Sequence, residues 1–273
     1  MTRDDWRRLA LPKDEAAEGA PALWFLPKLR SPELQNYRDI IVAVPPSYES
    51  ETRSYPLVVM HDGQNLFDPD TSYVGAWGMI GVLRDLAAQG TEVVIAGVAN
   101  TGPFRRYEYS PFRDPKHGGG DGDRYLSFII DQVIPQVENR FRVEPTARGR
   151  SIAGSSMGGL VSLYALWKQP DVFGAAAALS PSVWFADEAI LDFVKERPAP
   201  RGRLWLDTGT EEGELMLESV RRLRDAIVEG GLTEGPRFEY VEDEGAIHHE
   251  EHWGRRMRRV LPFLVGPSDR LTD

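Results

Sequence analysis

Cysteine is absent from all 273 residues. That excludes disulfides, thiolate nucleophiles and cysteine-held zinc, and it fits a reducing compartment. No apolar run reaches the length of a membrane span, and residues 1 to 20 are mixed charged and polar, without the apolar core of a signal peptide. The chain therefore reads as soluble and cytoplasmic, with no membrane partner. Positive charge is also scarce. There are 32 Lys and Arg against 42 Asp and Glu, a net charge of -10, which is unsuited to a nucleic-acid surface.

What is present is enough apolar material for one large core, 41% of the residues. It falls into short runs separated by helical stripes. Leu23–Leu26, Asp39–Val44, Leu57–Met60, Glu92–Val98, Arg150–Ala153, Gly174–Leu179, Arg203–Asp207 and Phe238–Val241 read as strands. Between them, helical spacing predicts helices over 76 to 89, from Leu126 to Val137 (bent at Pro135), after Gly158, over about 186 to 196, along Met216, Val220, Leu223 and Ile227, and along Trp253, Met257, Val260 and Leu264. Strands alternating with helices predict a single-domain α/β fold, with a mainly parallel sheet of about eight strands and helices on both faces. The expected organisation is a loose leader over 1–20, one domain over 21–265 and a short tail over 266–273. In such sheets the site lies at the carboxyl ends of the strands, and the loops 61–67, 100–123, 154–158, 181–184, 209–212 and 245–249 all fall there.

Among these loops, Gly154-Ser155-Ser156-Met157-Gly158-Gly159 has the form G-x-S-x-G between a strand and a helix. This is a nucleophile elbow with Ser156 at its apex. Its strained backbone lifts the hydroxyl clear of the sheet, and small residues at 154 and 158 avoid collision with neighbouring elements. The helix that starts after the serine aims free N–H groups at the place where an oxyanion forms.

A serine needs a base, and the base needs a carboxylate to fix its tautomer. The hydrolase order is serine, acid, histidine. His248, His249 and His252 follow Ser156; His248 is preferred because it comes first after the loop that leaves the last strand. For the acid the candidates are Asp207, Glu211, Glu212 and Glu214, and order alone does not separate Glu211 from Glu212. The backbone N–H of Met157 and that of Gln64, in the loop His61–Phe67, are the expected oxyanion donors. His61 precedes the serine and is expected to brace its loop.

Together these residues resemble the putative esterase family of α/β-hydrolases, which includes enterochelin-type siderophore esterases, esterase D and feruloyl or acetylxylan esterases. The resemblance rests on His61–Phe67, Arg106–Pro111, Gly154–Gly159, Leu179–Trp184, Gly209–Glu212 and Gly245–Glu250. It implies that the carboxylate two residues after Gly209-Thr210 serves the histidine, which selects Glu212; many relatives carry Asp there. It also places the histidine at His248 and implies a serine carboxylic-ester hydrolase without cofactor or metal. Siderophore trilactones, aromatic esters and sugar esters are its implied substrates. Trp77, Arg106, Tyr109 and Trp184, on predicted rim loops, are the expected substrate contacts by stacking and paired hydrogen bonds. Metal-dependent hydrolysis is disfavoured by spacing, since Glu does not directly follow the first histidine of the His248/His252 pair. The alternative reading is a catalytically silent hydrolase fold that binds a ligand.

Overall fold

The computed structural model describes residues 5–13, 15–72 and 75–266. Three antiparallel strands come first: β1 (Arg7–Leu9), β2 (Ala22–Ser31) and β3 (Asn36–Val44). They are followed by β4 (Leu57–His61), α1 (Met79–Ala88) and β5 (Val94–Val98). The connection after β5 carries α2 (Arg105–Glu108) and the small ribbon of β6 (Arg113–Asp114) and β7 (Gly118–Gly119). Helices α3 (Gly122–Phe128) and α4 (Ile134–Arg140) then form one rod through a π turn at Ile129–Val133. The remainder alternates strictly: β8 (Arg150–Ser155), α5 (Met157–Lys168), β9 (Ala175–Leu179), α6 (Ala189–Lys195), β10 (Arg203–Gly209), α7 (Glu214–Glu229), β11 (Phe238–Asp243) and α8 (Glu250–Val265).

Among the described residues the main sheet has nine strands in the order β1-β2-β3-β5-β4-β8-β9-β10-β11. From β5 to β11 all neighbours run parallel. The central strands are buried on both faces, so they read as unbroken apolar runs rather than alternating ones. Leu57, Val58, Val59 and Met60 of β4 have no exposed surface. One face of the sheet packs on α1 and α8, through Ile80, Leu83, Leu86, Trp253, Met257, Val260 and Leu264. The other packs on the helices from α3 to α7. Each fully buried side chain of the α8 stripe contributes about 1.5–3 kcal/mol of transfer free energy.

One expectation needs correction. The stretch 1–20 is not merely a loose leader. Trp6 is buried against Phe141, and β1 adds an edge strand, because an indole and a Leu can close the end of the core that β2 leaves open. The loop 100–123 holds α2 and the ribbon. The helix around Pro135 is accommodated by the π turn just before it, since proline offers no N–H and its ring crowds the carbonyl four residues back. The expected tail, apart from Gly266, lies outside the described residues, and no helix among those described is long and apolar enough to cross a membrane.

Candidate active site

The parallel strands end on one edge, and the loops that carry chemistry gather there. Ser156 sits between β8 and α5 with φ 58° and ψ -122°, a backbone region that L-residues rarely occupy. Its neighbours fix it: Ser156 N–H donates to Leu179 O at 2.9 Å, and Ser182 N–H donates to Ser156 O at 3.0 Å. The turn is tight enough that a Cβ at Gly154 would lie 2.8 Å from the His61 ring and 3.0 Å from the Gly158 carbonyl carbon. The first turn of α5 begins at Met157, so its N–H points out of the helix beside the serine.

Glu212 and His248 form the other half. Glu212 Oε2 accepts from His248 Nδ1 at 2.7 Å. With the proton on Nδ1, Nε2 of a neutral His248 is left as the acceptor. Glu212 Oε1 accepts from Ser180 Oγ at 2.6 Å, from Gly209 N–H at 2.7 Å and from Arg256 at 3.2 Å. Burial alone would raise the Glu212 carboxyl; the hydrogen bonds from His248, Ser180 and Gly209 outweigh it and hold the group below its ordinary value. Helix α7 starts only at Glu214, so Glu212 stands in the turn before the helix, and the neighbouring Glu211 is exposed. The edge of Trp253 meets the His248 ring at 4.7 Å and 87°.

Ser156, Met157, Ser182 and His248 line one cleft of about 680 Å³, together with Arg105, Arg106, Lys116, His117, Trp184 and Met216. Among the described residues no carboxylate side chain lines it, although the chain carries a net charge of -10. Arg105 is clamped by Asp62, Nε to Oδ1 at 2.7 Å and Nη2 to Oδ2 at 2.8 Å. Asn100 adds a third bond to Asp62 at 2.7 Å. Arg106 and Lys116 have no carboxylate partner among the described residues. Ser156 Oγ pairs with Ser182 Oγ at 3.1 Å rather than with His248.

Gln64 lies in the turn Gly63–Asn65 after β4. That turn approaches β5 so closely that a Cβ on Gly63 would lie 2.5 Å from the Gly97 carbonyl carbon. The turn's first backbone bond comes from Asn65 N–H to Asp62 O, so Gln64 N–H precedes it. The Gln64 side chain accepts from Asn100 N–H at 3.1 Å. His61 braces this loop from below, with Nδ1 and Tyr125 OH 2.8 Å apart, and burial drives its pKa down to about 3.

Two expected substrate contacts are not on the cleft. Trp77 is buried against Trp253, its ring 5.9 Å away, and so stands behind His248. Tyr109 has no exposed surface; its ring packs on His61 and Tyr125, and its OH accepts from Asp62 N–H at 3.2 Å. Both rings are part of the main core, Trp77 on the face under α1 and α8 and Tyr109 on the other. Arg106 and Trp184 do line the cleft.

The profile of the family described as Putative esterase matches residues 31–264. The chain belongs to this family. It has the α/β-hydrolase fold and is a carboxylic-ester hydrolase. The uncharacterized protein YbbA of Bacillus subtilis is 28% identical over 247 residues, 85% of this esterase and 94% of YbbA. The siderophore enterobactin esterase of Emericella nidulans is 33% identical over 120 residues, 37% of this chain and 39% of that one. The esterase thus spans about two fifths of that relative's length. A solved ferulic acid esterase shares the fold, with a TM-score of 0.67 at 20% identity, covering 91% of this chain and 99% of its own.

Sequence reasoning missed the support beneath the esterase's histidine pair. Arg256, one of four arginines between 255 and 259, is buried. It reaches Asp207 Oδ1 at 2.7 Å, Asp243 Oδ2 at 3.0 Å and Ser180 Oγ at 3.0 Å besides Glu212. Its position three residues after Trp253 and four before Val260, on the buried stripe, was the available signal. Asp207, once a candidate acid, lies under Arg256, and Trp205 Nε1 donates to its other oxygen at 2.8 Å.

Burial pushes the Asp207 carboxyl up to about 6, against the pull of Arg256 and Trp205. A folded-state value above the ordinary 3.8 means that the folded chain binds more protons than the unfolded one between those two values. The Asp207 contribution to stability is therefore greatest at low pH and falls as pH rises through that window. In urea unfolding, the stability of wild type relative to Asp207→Asn should decline by about 3 kcal/mol between about pH 4 and pH 7. A difference that stays flat with pH would refute this account of Asp207.

Proposed function

We propose that the chain is a serine esterase working through an acyl-enzyme, with Ser156 as nucleophile, His248 as base and Glu212 as its orienting carboxylate. The observation that carries this is the 2.7 Å Glu212–His248 pair, whose imidazole opens onto the same cleft as Ser156. Ser156 Oγ attacks the ester carbonyl carbon while its proton passes to His248 Nε2. The oxyanion is held by the N–H groups of Met157 and Gln64. The carbon–oxygen bond to the alcohol breaks, and His248 returns the proton to the leaving oxygen. Water then repeats the sequence to release the acid and regenerate Ser156. In the resting state Ser182 holds the Ser156 hydroxyl; a bound ester draws it toward His248, since catalytic hydrogen bonds commonly tighten only in the complex.

The acyl group is proposed to be aromatic or anionic. Arg106 and Lys116 supply unopposed positive charge, beside the Arg105–Asp62 pair, and Trp184 supplies a stacking face. This agrees with a relative named for enterobactin and a neighbour named for ferulic acid. A siderophore trilactone or an aromatic ester is the substrate class to screen first, and the proposed place of action is the cytoplasm.

Treatment with a fluorophosphonate probe, followed by peptide mass spectrometry, tests the serine chemistry. The expected result is rapid labelling confined to Ser156, lost in Ser156→Ala and in His248→Ala. Folded wild-type protein that takes no label sinks the triad and leaves the silent-binder reading in its place.

A further inference from the structure

The cleft is not the end of the accessible surface around His248. Beyond Trp184 and Met216, which line both, lies a second trough of about 650 Å³ formed with Glu212, Gly213, Glu214, Leu215 and Ser219. It differs in character from the cleft. Its lining holds no lysine, arginine or histidine, and its side chains include an indole, a leucine and a methionine. Leu215 is 88% exposed and Trp184 47% exposed. The apolar stripe of α7 explains how this arises. Val220, Leu223 and Ile227 of that stripe are buried in the core. Met216, one turn earlier, lies past the edge of the sheet and is only partly covered. Glu212 and Glu214 leave acidic charge along it, opposite in sign to the Arg106 and Lys116 end of the cleft.

The sheet order says which part of an ester each region meets. Counting from β8, which carries Ser156, the loops after β4 and β5 lie on one side. They bring Gln64, Arg105, Arg106 and Lys116. The loops after β10 and β11 lie on the other side and bring Glu212 and His248. A leaving alcohol must depart next to the group that protonates it, which is His248. Its substituent therefore extends toward the β10 side, where Glu212 lines the trough.

We infer that this trough is the leaving-alcohol subsite, and that it selects esters of uncharged, apolar alcohols. The inference rests on the serine-esterase reading and adds to it a substrate of two unlike halves, which favours the aromatic ester over the trilactone, whose acid and alcohol halves are the same unit. An aromatic or anionic acyl group faces the cationic loops, an alkyl or aryl alcohol lies on Leu215 and Met216, and Trp184, which lines both regions, stands between the two halves. Anionic alcohols are disfavoured by the acidic charge along the trough and the absence of a cation in the lining.

The test uses acetate esters of methanol, benzyl alcohol and 3-hydroxypropanesulfonate with wild type, Leu215→Asp and Met216→Asp. Leu215 is in the exposed first turn of α7, where an added carboxylate is favourable to the helix, so that variant folds. The alcohol acts only up to acyl-enzyme formation, so the readout is the ratio of kcat/KM between benzyl and methyl acetate. The wild-type ratio should be on the order of tenfold or more, as for added apolar groups in a matching pocket. It should fall severalfold in each variant, and the sulfonate ester should be the poorest of the three in wild type. Equal kcat/KM for benzyl and methyl acetate, turnover of neither, or a ratio kept in both variants overturns the subsite, provided that Ser156 labels with fluorophosphonate. Absence of that label overturns the serine reading itself, and the subsite with it.

Discussion

Ser156→Ala should lower kcat by about five to six orders of magnitude with KM little changed, and His248→Ala should lower it about as much. The double variant should be no slower than either single one, because nucleophile and base act as a unit and neither works without the other. Glu212→Gln should retain more, losing about three to four orders of magnitude, since the imidazole survives but its tautomer and cation are no longer supported. Steady-state kinetics on the best ester of a screen, with enzyme repurified to exclude wild-type traces, measure all four. The comparison is clean because Ala at 156 inherits the same backbone position, φ 58°, and the bonds that hold it run through main-chain atoms of Leu179 and Ser182. Residual activity above a tenth of wild type in Ser156→Ala would remove this serine from the mechanism.

The elbow and the sheet were legible because their signals are local. Gly154 and Gly158 flank a serine where a strand meets a helix, and β4, β5 and β9 are unbroken apolar runs. Other features depend on which way a side chain turns, and that is set by packing across the fold. Trp77 and Tyr109 lie on loops at the correct edge of the sheet, yet their rings close the core beneath those loops. Glu211 and Glu212 are adjacent, so spacing could not choose between them. What distinguishes them here is the turn: Gly209 N–H and Ser180 Oγ both donate to Glu212, while Glu211 faces solvent. The Ser182 hydroxyl, 3.1 Å from Ser156 Oγ, gave no signal beyond its place in the loop after β9. Arg256 was masked by composition. With Arg255, Arg258 and Arg259 around it, a charged cluster outweighed the helical phase that places 256 on the buried stripe.

That arginine carries the second large expectation. Arg256→Met should cost about 3–5 kcal/mol of stability at neutral pH, the range found when one partner of a buried ion pair is removed. The substitution keeps the apolar stem but strips Asp207, Glu212 and Asp243 of their shared cation. Two of those carboxylates have no exposed side-chain surface, so water cannot take over as donor. Lowering the pH should narrow the gap, because protonation removes the unpaired charge, first at Asp207, which burial already pushes up to about 6. Chemical unfolding at neutral pH and at about pH 5 reads both effects; a loss below about 1 kcal/mol, or one that grows on acidification, contradicts the role given to Arg256. The same variant should also turn over esters more slowly than its folded fraction explains. Glu212 Oε1 loses the Arg256 bond and shares a weakened Ser180, whose hydroxyl also contacts Arg256 at 3.0 Å. The carboxylate proposed to orient His248 keeps its bond from Gly209 N–H but is held less firmly. A buried arginine on α8 thus acts on the cleft through the two residues between them, and stability and turnover should fall together in this variant.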